Sequence, residues 1–209
     1  MADWVTISSL ATAGGTLVLA GATFASVRSA NRAARVAERS LLVGLRPLLM
    51  PSRLEDGTQK VGFVDGKWLQ VPGSGAAVDA SDEAVYIAIS LRNVGTGIAV
   101  LHGWRFTPGR DTSLEHPDPV SYTRLTRDLY IAAGDVGFWQ GSFRDSSSTD
   151  FAQARAAIEA RDTLSVEVLY GDLEGGQRVI SRYALAPRHD GSWLVSAGRH
   201  WNVDLPDPR

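Results

Sequence analysis

Residues 84–106 carry the pattern that most limits what this chain can fold into. In their first half every second residue is aliphatic, as expected for a strand with one buried face, because side chains along a β-strand alternate between its two faces. The residues on this face are Val85, Ile87, Ile89 and Leu91. Gly95 and Gly97 then allow a tight bend. The alternation resumes beyond them, and the predicted core face of the second strand is Ile98, Val100, His102, Trp104 and Phe106.

A phosphate-binding loop would be another use for Gly95 and Gly97. The dinucleotide fingerprint requires G-x-G-x-x-G after a strand, followed directly by a helix. Here the third glycine is missing and the strand-like residues 98–106 follow. We therefore predict a bend between two strands, and we expect no cofactor.

The chain also contains one long uncharged segment, residues 4–27, which is 24 residues long. As a helix it would measure about 36 Å, enough to cross a hydrocarbon core of about 30 Å. We predict that residues 1–27 form a single-pass transmembrane helix. A cleaved signal peptide is disfavoured because the chain opens Met-Ala-Asp-Trp, without the usual positive charges. A helix that packs on a partner instead of spanning the bilayer stays open.

Residues 28–53 are strongly basic, with six arginines against Glu38, whereas no Lys or Arg precedes the uncharged segment. Positive charges collect on the cytoplasmic side of a membrane span. We predict a helical stalk and linker here, with the rest of the chain on the cytoplasmic face of the inner (plasma) membrane. Pro47 should end the helix, because the residue before a proline avoids the α region.

The stalk has two faces with different predicted partners. Its basic stripe should contact anionic lipid headgroups and consists of Arg28, Arg32, Arg35 and Arg39. The opposite side repeats Val and Ala at heptad-like spacing, and the membrane segment has a row of small residues, so a homo-oligomer through helix and stalk is an alternative. We predict no nucleic-acid binding, since no aromatic residues interleave with the arginines and the whole chain has a net charge of −2.

Residues 54–209 read as a β-domain. Asp65-Gly66 between apolar runs is a strong hairpin signal. About eight short strands follow at hairpin spacing, together with one helix over 151–160 that Ser148 and its neighbours can cap. This pattern predicts a mainly β fold, an antiparallel immunoglobulin-like β-sandwich with one short helix. Cysteine is absent, so neither a disulfide nor a thiolate site is available.

Few residues suggest chemistry. The four histidines lack the i, i+4 spacing of a helical zinc site, so we predict no metal. His102 is predicted to be a structural residue of the core. The weak catalytic candidates are His200, which lies between Arg199 and Trp201, and the carboxylate pair Asp172 and Glu174 in a glycine-flanked loop. That pair could serve acid–base chemistry, although a solvated hairpin tip is the more ordinary use.

The order of these features resembles a known type of protein. An apolar helix is followed by an Arg-rich helix ending in LRPLLM and by the strand motif LRNVGTGIAV, and the later stretches are TRDLYIAAGD, YGDLEGGQRVISRY and RHWNVDLPDPR. The chain is similar to membrane-anchored β-sandwich proteins of actinobacteria, for which no activity is established. The resemblance implies an anchor followed by a sandwich and assigns no catalytic residue.

Three functional hypotheses follow. The leading one is a membrane-anchored, non-enzymatic protein interaction or scaffolding module with an unidentified protein partner. The first alternative is a membrane-tethered hydrolase that uses His200 with the acidic residues Asp172 and Glu174. The second is a small-ligand sensor that uses exposed tryptophans.

Overall fold

A computed structural model describes residues 3–207, except for the side chains of residues 5, 6, 39, 42 and 43. The chain divides into two compact units, Met1–Val43 and Gly44–Arg209. The second unit therefore begins ten residues before the predicted position 54.

From Trp4 onward the first unit forms one long helix, α1, Trp4–Gly44. Within its segment Ile7–Glu38 an 18-residue stretch reaches a mean hydropathy of 1.5 and has no buried residues, so by length and composition α1 is able to cross a membrane. The hydroxyls of Thr12, Thr16 and Thr23 each donate to the carbonyl oxygen four residues earlier, at 2.8–2.9 Å. These bonds satisfy the polar atoms that interrupt the apolar segment.

The second unit is built mainly from short strands. Its described residues form β1 Leu49–Pro51, β2 Gln59–Gly62, β3 Trp68–Val71, β4 Gly75–Ala80, β5 Val85–Asn93, β6 Ala99–Pro108, β7 Thr123–Ile131, β8 Val136–Phe143, α2 Thr149–Glu159, β9 Leu164–Gly171, β10 Val179–Pro187 and β11 Trp193–Asn202, with a 3-10 turn at Pro119–Ser121.

Nine of these strands form one antiparallel sheet. On one edge of β5, β1 pairs with residues 91–93 and β4 with residues 85–89, while β8 pairs with the opposite edge. The order across the sheet is therefore β8-β5-β4-β11-β10-β9-β6-β7, with β1 beside β5 on the same edge as β4. The remaining two, β2 and β3, form a separate hairpin around Asp65-Gly66. The sheet curls, so β7 and β8, at its two ends in the strand order, are also neighbours in one hairpin. The prediction of a mainly β, antiparallel fold with a long N-terminal helix and one short helix is confirmed.

The concave face of the sheet holds the main core. Its largest fully buried side chains include Trp139, Tyr170 and Tyr183. Trp104 meets Trp139 edge to face at 5.3 Å between ring centroids. Helix α2 closes this core with three buried residues, Phe151, Ala154 and Ala157. Ser148 caps α2 as predicted, since its side chain accepts a 3.1 Å hydrogen bond from the Phe151 amide.

The prediction of which β6 residues face the core is wrong for the first half of the strand. Leu101 pairs with Tyr170 and Gly103 with Leu169, which leaves His102 as an extra residue in a β-bulge. A bulge shifts the alternation by one position. Leu101 therefore shares the buried face with Trp104, while His102 is exposed.

Strand β1 is fixed by two buried tyrosines. The hydroxyl of Tyr170 accepts from the Leu49 amide at 3.1 Å, and that of Tyr183 donates to the Leu49 carbonyl at 2.8 Å. This short strand ties the segment after α1 into the sheet.

We expect Tyr183→Phe to destabilise the second unit by about 1–2 kcal/mol, because the buried Leu49 carbonyl loses a donor. Tyr130→Phe is the matched control, since Tyr130 is exposed and should cost less than about 0.5 kcal/mol. Guanidinium unfolding of the full-length protein in detergent, monitored by tryptophan fluorescence, measures the stability of both variants. Equal midpoints for the two variants would contradict the role given to Tyr183.

Candidate ligand-binding groove

The bulge in β6 is matched by a larger irregularity in β7. Leu101 pairs with Leu129, whereas the next paired residue, Gly103, pairs with Arg124. Residues 125–128 of β7 thus lie opposite His102 alone. Bulges of this kind re-aim side chains and are frequent beside binding sites.

A groove of about 680 Å³ lies beside this double irregularity. Its volume falls within the range of about 300–1,000 Å³ that is typical of ligand sites. The apolar lining comes from Leu101, Pro119, Val120, Leu125 and Leu169, and the polar lining from His102, Tyr122, Arg124, Asp128 and Arg178. This mixture of apolar surface and a few polar groups is the composition of a binding site.

The charged side chains of the groove differ in whether they are free to bind a ligand. Arg178 donates to Asp204 at 2.7 Å, and this bond raises the pKa of Arg178 and lowers that of Asp204. The Arg124 side chain is exposed, and none of the described residues forms an ion pair or hydrogen bond with its guanidinium. Although His102 is exposed overall, the partial burial of its imidazole first, and then the charge of Arg178, lower the pKa of His102. A ligand would therefore meet one free guanidinium and a neutral imidazole.

Acidification should weaken the folded protein through His102. Because its folded-state pKa lies below the ordinary value of 6.5, the unfolded chain takes up this proton first as the pH falls. The stabilisation is present above pH 6.5 and is lost as the pH falls through the folded-state pKa. His102→Gln should reduce the loss of stability on acidification. An NMR titration of His102 with a midpoint at or above 6.5 would contradict this account.

One wall of the groove is fixed by a buried charge network on the convex face of the sheet. Tyr122 donates to the Glu167 carboxylate at 2.6 Å, and burial followed by this bond raises the pKa of Tyr122. Glu167, only 2% exposed, also pairs at 2.7 Å with Arg182 and with Arg105. The three charged residues are register partners on β6, β9 and β10. Through Tyr122, which lines the groove, this network links the groove to charged residues in the middle of the sheet.

Residues 109–122, which we call the strap, cover this network. Arg182 pairs with the Asp111 carboxylate at 2.9 Å and donates to the Ser113 carbonyl at 2.9 Å. A ring nitrogen of His116 lies 2.8 Å from the Asn202 carbonyl oxygen. The strap ends in the 3-10 turn and Tyr122, so its anchoring also positions the Val120 and Tyr122 walls of the groove.

The predicted catalytic candidates lie in three different settings. Asp172 is 3% exposed and accepts from the Gly176 amide at 2.8 Å, which closes its own turn, whereas Glu174 is exposed. His200 lies 2.6 Å from the Ser181 hydroxyl on β10. Since Ser181 pairs with Val168, His200 and Asp172 are offset by about 13 Å along the strands. A catalytic centre shared by these residues stays a hypothesis.

The predicted lipid contacts lie on α1. Arg28, Arg32 and Arg35 are exposed, while the side chain of Arg39 lies outside the described residues. Contact with headgroups stays a prediction. Among residues 3–207 no cluster of three or more His, Asp or Glu could hold a metal ion.

The groove was not predicted from the sequence, because the apolar alternation of β6 was assumed to run through His102 without a bulge. The available signal was the polar run Arg124, Thr126, Arg127 and Asp128, which fits an ordinary half-buried strand poorly. The contribution of Arg178 and Val120 to the same site depends on long-range packing.

A scan of the sequence against models of known protein families finds no match, and a search of curated proteins finds none either. The fold and the groove define a structural class. The chain has a β-rich unit, made of one curled antiparallel sheet with a ligand-sized groove, that follows a long apolar helix.

Proposed function

We propose that this protein is a membrane-anchored, non-enzymatic interaction module whose β-rich unit binds a partner protein through the groove. The groove itself carries the proposal, because it combines apolar lining with the free charge of Arg124. Val120 at its rim is 89% exposed. An apolar contact surrounded by polar groups is the usual composition of a protein interface.

The anchor in this proposal is residues 4–27 of α1, which cross the inner (plasma) membrane once. Arg28, Arg32, Arg35 and Arg39 then contact anionic headgroups, each contributing about 1 kcal/mol. The positive charge after the span supports a cytoplasmic location of the β-rich unit. Small residues within the span support self-association of the helix as part of the same proposal.

Protease protection tests the orientation. Protease added to intact spheroplasts should leave residues 44–209 undigested, whereas inside-out vesicles should expose them. An antibody against the β-rich unit shows in both preparations whether the unit is intact or digested. Digestion in intact spheroplasts would overturn the cytoplasmic location.

Crosslinking in native membranes tests the partner. The full-length protein should co-purify with one stoichiometric protein, and Val120→Glu should reduce its recovery at least tenfold, or about 1.4 kcal/mol, by placing a charge in the apolar contact. Leu54→Glu is the control, since Leu54 is also exposed but does not line the groove. Recovery of self-crosslinks alone would contradict the proposal.

A small-ligand sensor is the second candidate, and the volume of the groove favours it. Tryptophan fluorescence and thermal stability of the full-length protein, measured across a metabolite screen, should then respond to one chemical class. Arg124→Glu should abolish the response to an anionic ligand. A screen without any response would leave the protein partner as the ligand of the groove.

The immunoglobulin-like type of the fold is also part of the proposal. In its support, β5 and β8 contribute to the same core as β9 and β10, as the two facing layers of a sandwich do. The backbone hydrogen bonds nevertheless connect these strands through one curled sheet.

A further inference from the structure

The groove beside His102 contains two charged side chains of opposite sign that have no partner within residues 3–207. Asp128 is exposed and, like Arg124, forms no ion pair or hydrogen bond through its side chain with any of these residues. In particular, the two do not pair with each other. The guanidinium of Arg178 is already bound to Asp204. Arg124 and Asp128 are therefore the charges of the groove that a ligand can pair with.

The irregularity of β7 keeps these two charges apart. Arg124 pairs with Gly103, whereas Leu129, the residue after Asp128, pairs with Leu101. The two partners on β6 are two residues apart, which corresponds to about 7 Å at most along a strand. The part of β7 between Arg124 and Leu129 bulges over this short distance. One end of the bulge thus carries a positive charge and the other end a negative charge.

Asp128 lies at the end of the groove where His102 is found. Its carboxylate raises the pKa of His102 while the guanidinium of Arg178 lowers it, so both charges act on the imidazole. The resulting pKa lies below the ordinary value of 6.5, and His102 is therefore neutral at neutral pH. A neutral imidazole does not repel a cation that approaches Asp128. The groove accordingly attracts a cation at Asp128 and an anion at Arg124.

We infer that the partner places a dipolar segment in this groove, with an acidic side chain on Arg124, a basic side chain on Asp128 and an apolar side chain against the lining. Complementary charges select one partner over others, because like charges repel wrong ones. The apolar contact excludes water, and both charge pairs are stronger where water is excluded. This inference rests on the proposed function and names the chemistry of the partner.

The spacing of the two charges also fits a short segment. Alternate residues of an extended peptide are about 7 Å apart and point to the same side. An acidic and a basic residue separated by one position therefore match Arg124 and Asp128. The groove, at about 680 Å³, holds such side chains without any pairing of the segment with a strand edge.

Peptide binding to the full-length protein in detergent micelles tests the inference. The probe is the fluorescent, end-blocked pentapeptide Thr-Glu-Val-Lys-Thr, and empty micelles serve as the blank. In fluorescence anisotropy it should bind at least tenfold more tightly, about 1.4 kcal/mol, than Thr-Glu-Val-Glu-Thr or Thr-Lys-Val-Lys-Thr, each of which replaces one attraction by a repulsion. Thr-Glu-Ser-Lys-Thr should bind at least about threefold more weakly than the probe, because it lacks the apolar contact.

Single charge reversals should exchange the preference. With Asp128→Lys the Glu-Glu peptide should become the tightest ligand, and with Arg124→Glu the Lys-Lys peptide should. The controls Glu83→Lys and Arg110→Glu, at exposed positions outside the groove, should keep the order of the unmodified protein. A damaged fold cannot produce two opposite preferences. No binding of the dipolar peptide, equal binding of the three charged peptides, or an unchanged order in the two groove variants would overturn the inference.

The same variants in native membranes separate this inference from the proposed function. If the partner is captured and its recovery responds neither to Arg124→Glu nor to Asp128→Lys, the dipolar segment is wrong and the interaction module stands. If no partner is captured, the proposed function itself fails.

Discussion

Replacing Arg182 by Met should lower the free energy of unfolding of the second unit by about 3–5 kcal/mol, which is the cost of breaking a buried ion pair. The guanidinium is 5% exposed and pairs with Glu167 at 2.7 Å and with Asp111 at 2.9 Å. It also lies 4.9 Å from the ring centroid of Trp201. Its loss therefore removes one of the two cations that contact the nearly buried Glu167 carboxylate, the other being Arg105, and it removes the partner of the strap residue Asp111.

The matched control is Arg188→Met, at an exposed position, which should cost less than about 0.5 kcal/mol. Guanidinium unfolding of the detergent-solubilised full-length protein measures both variants. In Arg182→Met we also expect faster proteolysis within residues 109–122, because the strap is released. A loss of stability below about 1 kcal/mol would show that Arg105 and Tyr122 are sufficient to hold Glu167.

Replacing Gly97 by Ala should have the second largest effect, about 3 kcal/mol or more, because the added methyl overlaps backbone atoms that cannot move aside. A Cβ at Gly97 would overlap the carbonyl group of Leu45, and one at Gly95 would lie 2.7 Å from the Pro47 carbonyl carbon. Because they have no side chain, Gly95 and Gly97 leave the space that the chain segment between α1 and β1 occupies.

Gly57→Ala is the control for Gly97→Ala, since a methyl group there meets no atom within 4 Å. We expect it to change stability by less than about 1 kcal/mol. The full-length proteins are compared by thermal unfolding in the same detergent. If Gly97→Ala unfolds at the temperature of the control, the close approach of Leu45 is wrong.

Much of the architecture was predictable from local patterns. The alternation in residues 85–91 predicted β5, Asp65-Gly66 predicted the β2–β3 hairpin, and Ser148 predicted the start of α2. These features depend on neighbours in sequence, which is why period and capping rules suffice for them. The end of α1 at Gly44, before Pro47, follows from the same local steric rule.

The groove and the buried charges were not predictable in this way. Arg182 alternates with apolar residues on β10, which normally indicates a solvent-facing side chain, but the strap covers it. Residues 107–121 are rich in proline, which indicates a loop but not what the loop covers. The contact of Asp111 with Arg182 joins residues far apart in sequence. The bulge at His102 likewise depends on the register of β6 against β7 and β9.

Photocrosslinking from position 120 tests the central claim most directly, namely that the groove binds a partner protein at the membrane. A photoreactive residue in place of Val120, in the full-length protein in native membranes, should give one discrete protein adduct. The same residue in place of Leu54 should not give it, and Arg124→Glu should weaken it. The absence of an adduct at position 120, or identical adducts from both positions, would contradict the account.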